Sequence, residues 1–182
     1  GRRRQFGRRG MTMYGTLEGA NSYHQARGNA AWAAGTEQAR EGALVRATDY
    51  IDGRYRVLLA SGRWASMFPG VRTAGRGQPN EWPRTGAIDY DGDPIQPDEV
   101  PDEVERATYE AALRELVAPG SLSPDYVASE AVTKEKVGPI EVTYADATAA
   151  GQVPNRPVVP AIDEILAPLL RTPAVLPAVR VV

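Results

Sequence analysis

Apolar residues recur at helical spacing in several stretches of this chain, and each stretch carries its own start or stop signal. From about Leu17 to Arg27, Ala20, Tyr23 and Ala26 fall on adjoining faces, and Gly28-Asn29 ends the run. Trp32 follows in a short alanine-rich segment. The next helix is predicted to begin after Thr36, whose hydroxyl can accept from free amides of the first turn, with Glu37 at the positive helix end. Leu44, Ala47 and Ile51 form its stripe, while Arg40, Glu41, Arg46 and Asp49 lie elsewhere around the cylinder, and Gly53 marks its end. The clearest helix opens at Pro101 with Asp102 and Glu103 in its first turn and stops at Pro119-Gly120. Val104, Ala107, Tyr109, Ala111, Ala112, Leu113 and Leu116 give it the wide apolar face of a central core helix. Ile162, Ile165, Leu166, Leu169 and Leu170 repeat the same spacing until Pro168 bends or ends the helix.

The segments between these helices read differently. From Tyr55 to Pro101 glycines and prolines leave room only for a long irregular loop, with a short strand at Arg56 to Ala60 and apolar anchors at Trp64, Met67, Phe68 and Trp82. Alternating apolar and charged residues at Val132 to Val137 and Ile140 to Tyr144, around Gly138-Pro139, predict a β-hairpin. Beyond Arg171 the chain is apolar and broken by proline, so it forms no helix and needs a surface to cover it, either another chain or its own body. The expected architecture is mainly α: a bundle of about four helices with a β-hairpin, a long irregular loop and extended arms. Residues 1–15 form the N-terminal arm, 16–170 the body with its loop at 55–100 and hairpin at 131–145, and 171–182 the docking tail.

Charge sharpens this division. The net charge of -2 conceals Arg2, Arg3, Arg4, Arg8 and Arg9 in the first ten residues, and the rest of the chain holds 16 basic against 23 acidic residues. Such an acidic body is a poor generic nucleic-acid binder, because neutralising phosphates requires clustered Lys and Arg. Only the arm is suited to phosphate; its other reading is a solvated leader, with Met11 and Met13 as alternative starts. With 182 residues one domain is expected. The absence of cysteine excludes disulfides, thiol nucleophiles and thiolate zinc sites. No apolar run reaches the roughly 18 residues of a membrane span.

Catalytic and cofactor chemistry finds little footing. His24 is the sole histidine, with no nucleophile motif around it, and is expected on a helix surface. Asp89, Asp91 and Asp93 resemble the start of a calcium loop, but Pro94 and Val100 stand where that loop needs Gly and Glu, so an acidic surface turn is expected. Gly75 and Gly77 begin a phosphate-cradling pattern that Asn80 breaks. No enzyme, metal or cofactor is indicated. Tyr50, Arg54, Tyr55, Arg56, Trp82 and Arg84 make the one aromatic and cationic cluster that could stack single-stranded bases; alternatively its aromatics anchor the loop and its arginines form ion pairs.

Four blocks in order carry a family resemblance. They are Tyr23 to Trp32 (YHQARGNAAW), Arg46 to Tyr55 (RATDYIDGRY), Trp82 to Gly86 (WPRTG) and Lys134 to Val142 (KEKVGPIEV). The chain resembles a tailed-phage family labelled DnaT-like single-stranded-DNA-binding protein, over residues 16–170. That family is also similar to the head-completion or head-to-tail adaptor proteins of long-tailed phages. The resemblance implies a bundle closed into a twelve-copy ring between the portal protein and a tail, stopper or tail-terminator protein. Genomic DNA would pass through the lumen without sequence-specific binding. Such a protein resides in the virion at the head-tail interface, and in host cytoplasm during assembly, with no membrane partner. An acidic body suits a conduit for DNA. The apolar residues outside the helices mark the expected protein interface: Trp64, Phe68 and Trp82 in the loop, Val137, Ile140 and Val142 in the hairpin, and Val175, Leu176, Val179, Val181 and Val182 in the tail. The alternative role is a single-stranded-DNA-binding replication accessory.

Overall fold

A computed structural model describes residues 13–125, 134–137, 140–143 and 157–171, the two segments 134–137 and 140–143 as backbone. The fold is a small, mainly α bundle with antiparallel β-hairpins. Helix α1 (Leu17–Ala26) starts where the Thr16 hydroxyl accepts from the Gly19 amide, and a short α2 (Ala30–Ala34) turns back behind it. Helix α3 (Glu37–Arg54) starts at the predicted Thr36 cap, whose hydroxyl accepts from Ala39 N at 3.2 Å, and continues past Gly53 by one residue. Helix α4 (Asp102–Val117) has Pro101 as its N-cap, and α5 (Pro160–Leu166) runs into a 3-10 turn at Ala167–Leu169 that accommodates Pro168.

The segment 55–100 carries the strand expected at Arg56 to Ala60 as β1 (Arg56–Leu58), and beyond the expected irregular loop it adds β2 (Trp64–Ser66), paired with β1, and a second pair, β3 (Val71–Arg72) with β4 (Arg84–Thr85). The three unpredicted strands, β2, β3 and β4, are too short for period-two alternation to reveal them among so many glycines and prolines. The anticipated hairpin is present as β5 (Lys134–Val137) and β6 (Ile140–Thr143), with Val137 opposite Ile140.

Helices α3 and α4 make the most extensive packing in the chain, and α5 lies along α4. Their facing surfaces are rich in alanine: Ala43 and Ala47 of α3, and Ala107, Ala111 and Ala112 of α4, are buried beside Leu44, Ile51 and Val104. Small side chains allow the backbones close together, and each buried Leu, Ile or Val contributes about 1.5–3 kcal/mol. Helix α1 approaches α4 closely for another reason. Gly19 offers no Cβ where the Tyr109 hydroxyl presses on the helix, and the same hydroxyl accepts from Thr16 N at 3.2 Å.

Buried polar groups are tied to backbone. Glu115 accepts from Arg46 Nε at 3.0 Å, Gly120 N at 2.8 Å and Leu122 N at 3.3 Å, which pins the turn after α4 onto α3. His24 is a correction to the sequence expectation: it is 1% exposed, not on a helix surface. Its Nε2 lies 3.1 Å from the Tyr109 carbonyl and its Nδ1 3.0 Å from Asn29 Nδ2. A carbonyl can only accept, so Nε2 carries the proton and Nδ1 accepts from the Asn29 amide, a neutral ring. Burial lowers its pKa accordingly, and its ring packs on Trp32.

Candidate docking surface

The β1–β2 hairpin leaves α3 without a spacer. Tyr55, the C-cap of α3, packs its ring on Phe68 and donates its hydroxyl to Asp163 of α5 at 2.6 Å. Met67 N closes the hairpin base on Tyr55 O at 2.9 Å, and Arg171 N donates to Met67 O at 2.8 Å. At the tip Leu59 N bonds Arg63 O and Gly62 N bonds Leu59 O, a turn in which Gly62 takes a φ of +76° that a side chain would resist.

Behind the hairpin the next segment is held from inside. Arg84 is buried, and its guanidinium donates to Pro69 O at 2.6 Å, Gly70 O at 2.8 Å, Glu81 O at 3.1 Å and the Glu81 carboxylate at 2.7 Å. Gln78 donates to Asn80 O and Pro83 O and accepts from Ala74 N, closing the intervening loop. A second lock joins the segment to the helices. The Tyr14 hydroxyl donates to Asp52 of α3 at 2.5 Å and accepts from Trp82 N at 3.0 Å, and the other Asp52 oxygen accepts from Glu81 N at 3.1 Å. Burial pushes the Asp52 carboxyl up to about 6 although these hydrogen bonds pull it back, and it raises the Tyr14 hydroxyl as well.

What this scaffold presents outward is apolar. Leu58 pairs across the strands with Trp64, and Arg56 with Ser66, so these side chains share one face while Val57 and Ala65 point to the other. Leu58 is 50% and Trp64 57% exposed, Leu59 beside them is exposed, and so is Val71 of β3. Charge follows the same boundary. From 54 to 84 the chain holds Arg54, Arg56, Arg63, Arg72, Arg76 and Arg84 against the lone acid Glu81, whereas 87–105 holds acids and no base. A segment-by-segment count shows this reversal, which the balance over the whole body conceals.

The expected interface residues therefore separate. Trp64 stands in the open, but Phe68 and Trp82 are 2% exposed, stacked edge to face in the chain's own core. They lie outside the helices and still bury themselves, because the Arg84 bonds fold their segment on itself and the Tyr14 and Asp52 bonds tie it to the helices. Val137, Ile140 and Val142 belong to β5 and β6, where only backbone is described. Arg2, Arg3, Arg4, Arg8, Arg9, Val175, Leu176, Val179, Val181 and Val182 lie outside the described residues. The proposed base-stacking cluster is no open platform: Tyr50, Tyr55, Trp82 and Arg84 are buried, and Arg56 and Arg84 both pair with Glu81. The Asp89, Asp91, Asp93 segment is a turn in which one Asp89 oxygen accepts from the amides of Asp91 and Asp93, and no cluster suited to a metal ion occurs among the described residues. Nor is any helix of the described residues long and apolar enough to cross a membrane.

Compared with known proteins, residues 7–181 match the model of a family described as "Putative DnaT-like ssDNA binding protein". No curated protein and no solved structure matches the chain.

Proposed function

The chain belongs to the family described as "Putative DnaT-like ssDNA binding protein", and we propose, on the sequence resemblance and the exposed hairpin rather than on that description, that it is a non-enzymatic assembly protein, the head-to-tail adaptor of a tailed bacteriophage. The observation that carries this reading is the uncovered face of the β1–β2 hairpin. Leu58, Leu59 and Trp64 expose apolar surface on this hairpin, whose base is tied to Tyr55 and Arg171, the mark of a protein-docking site. Aliphatic side chains predominate there, and they gain little from stacking on bases but much from a protein pocket. The tailed-phage setting comes from the resemblance carried by the four sequence blocks. Deleting the gene from the phage is expected to leave DNA-filled heads and free tails that do not join. Fully infectious particles from the deletion would overturn the assignment.

A second reading is single-stranded-DNA binding. The family description favours it, as does Trp64 between exposed Arg56 and Arg63 on the same hairpin. It forecasts submicromolar, steeply salt-dependent binding of a labelled oligonucleotide by the body without residues 1–10, read by fluorescence anisotropy. Binding weaker than about 100 μM at physiological salt, the weak limit of ordinary non-specific association, would exclude it.

A further inference from the structure

Six of the eight large apolar side chains exposed among the described residues lie in two stretches of opposite charge. Leu58, Leu59, Trp64 and Val71 belong to the arginine-rich stretch, and Ile88 and Tyr90 to the acidic one. The two stretches do not neutralise each other. Among the described residues the ion pairs that touch either stretch end on Glu81 or join Asp102 to Arg106, and none joins an arginine of 54–84 to an acid of 87–105.

Building on the assembly reading above, we infer that the β1–β2 hairpin of one copy docks on the 88–94 turn of a second copy of this chain, Trp64 and Leu58 meeting Tyr90 and Ile88 inside a rim of arginine and aspartate. The turn is built to present its apolar tip. Asp89 N donates to Asp93 O at 3.0 Å, the Asp89 carboxylate accepts from Asp91 N and Asp93 N at 2.9 Å each, and Ile88 bridges to Pro94. Tyr90 N is tied to Pro168 O at 2.9 Å, yet the Tyr90 side chain is 72% exposed. With its backbone held, the turn loses little main-chain freedom on binding, and tyrosine and tryptophan are side chains that anchor protein interfaces.

Like charge decides the arrangement. Hairpin on hairpin would set arginine against arginine, and turn on turn would set aspartate against aspartate, so each patch rejects its own kind. The favoured contact joins two different patches, the heterologous type that closes into rings.

Charge reversal tests the pairing without touching the fold. Among the described residues the side chains of Arg63, Arg76, Asp91 and Asp93 make no hydrogen bond or ion pair, and all four are exposed. Sedimentation of the full chain should show self-association at about 0.1 M salt, weakened tenfold or more at about 1 M, as the screening length falls from ~10 Å to ~3 Å. The variant R63E/R76E and the variant D91R/D93R should each associate at least tenfold more weakly than wild type. Their equimolar mixture, and the chain carrying all four substitutions, should recover association. Salt-independent association of the wild type, wild-type association of either variant, or folded variants that fail to recover on mixing would overturn the pairing. A wild type that stays monomeric to about millimolar concentration would overturn it too, while the adaptor reading would still be decided by the gene deletion.

Discussion

Two neighbouring stretches, 56–66 and 68–86, use the same residue types to opposite ends. In the second, Trp82 and Arg84 both turn inward: the ring packs on Phe68, and the guanidinium is surrounded by the carbonyls of Pro69, Gly70 and Glu81 with the Glu81 carboxylate beside it. In the first, Arg63 and Trp64 turn outward. The difference lies in the acceptors each backbone offers. Strands β1 and β2 use their carbonyls on each other, whereas the irregular 68–70 segment leaves carbonyls that only a side chain can satisfy. A buried arginine is tolerated where it completes that accounting, and the aromatic beside it then becomes core.

The largest test of this contrast removes the inward arginine. Arg84→Met should lower stability by about 3–5 kcal/mol, since it strips partners from buried carbonyls and leaves Glu81 without its buried counter-charge. Urea unfolding would read the loss, and a cost near that of a surface substitution would mean that the 68–86 segment is not held as described. The same type of change outside, Arg63→Met, should leave the unfolding midpoint in place.

Helix α1 supplies the next largest effect. Alanine normally stabilises an exposed helical glycine by about 1 kcal/mol. At Gly19 the sign should reverse, with a loss of about 1–3 kcal/mol, because the new Cβ meets the Tyr109 hydroxyl. Adding Tyr109→Phe should restore part of the loss, and thermal melts showing no interaction between the two changes would contradict the contact.

Acid separates the locks under the hairpin from those around α1. The His24 pKa is lowered by burial, so the unfolded chain binds the proton more readily, and stability is lost as pH falls below the ordinary value of about 6.5. Asp52 has the reverse sign. With its pKa raised to about 6, the folded chain takes up the proton first, and stability is gained as pH falls from about 6 toward the ordinary carboxylate range. Each slope is bounded by about 1.4 kcal/mol per pH unit, so the two oppose one another between pH 6 and 4. In the His24→Gln variant the gain from Asp52 should no longer be opposed by the histidine, visible as an unfolding midpoint that rises on mild acidification from about pH 6, before the acids with pKa values nearer the ordinary carboxylate range take up protons. A midpoint that falls as steeply as in wild type would refute the assignment.

Much of the bundle was legible in the sequence because its longer helices carried an apolar stripe bounded by start or stop signals. Thr36 caps α3 as its chemistry predicts, while Pro101 falls at the N-cap of α4, one residue before the first helical position it suits, and Pro119-Gly120 follow the end of that helix. Of 55–100 only the strand at Arg56 was legible, since the other strands, of two or three residues, leave no periodicity. The bonds that organise them join Arg84 to carbonyls of residues 68–70, and carbonyls are common to every residue type. His24 was misplaced for a similar reason: its partners are the Tyr109 carbonyl and Asn29, and only tertiary structure brings the former near. Trp64 and Trp82 are indistinguishable by composition, so apolarity outside the helices could not say which of them is a surface anchor. The reversal of charge at residue 86 was the available signal, and it separates two surfaces rather than two elements.

The smallest effect on stability should accompany the largest effect on assembly. Trp64→Ala removes a side chain that is 57% exposed, and its cross-strand partner Leu58 is itself half in solvent. The fold should change by no more than about 0.5 kcal/mol, the range of an ordinary surface substitution. Docking should fall at least tenfold, because a central tryptophan typically carries a disproportionate share of an interface. Trp82→Ala should show the inverse pattern, a loss of about 3–5 kcal/mol in stability from the cavity it leaves in the core. If Trp64→Ala unfolds the chain, the hairpin face is core and not surface. If it leaves both stability and assembly untouched, the exposed ring is incidental and the docking reading loses the observation on which it stands.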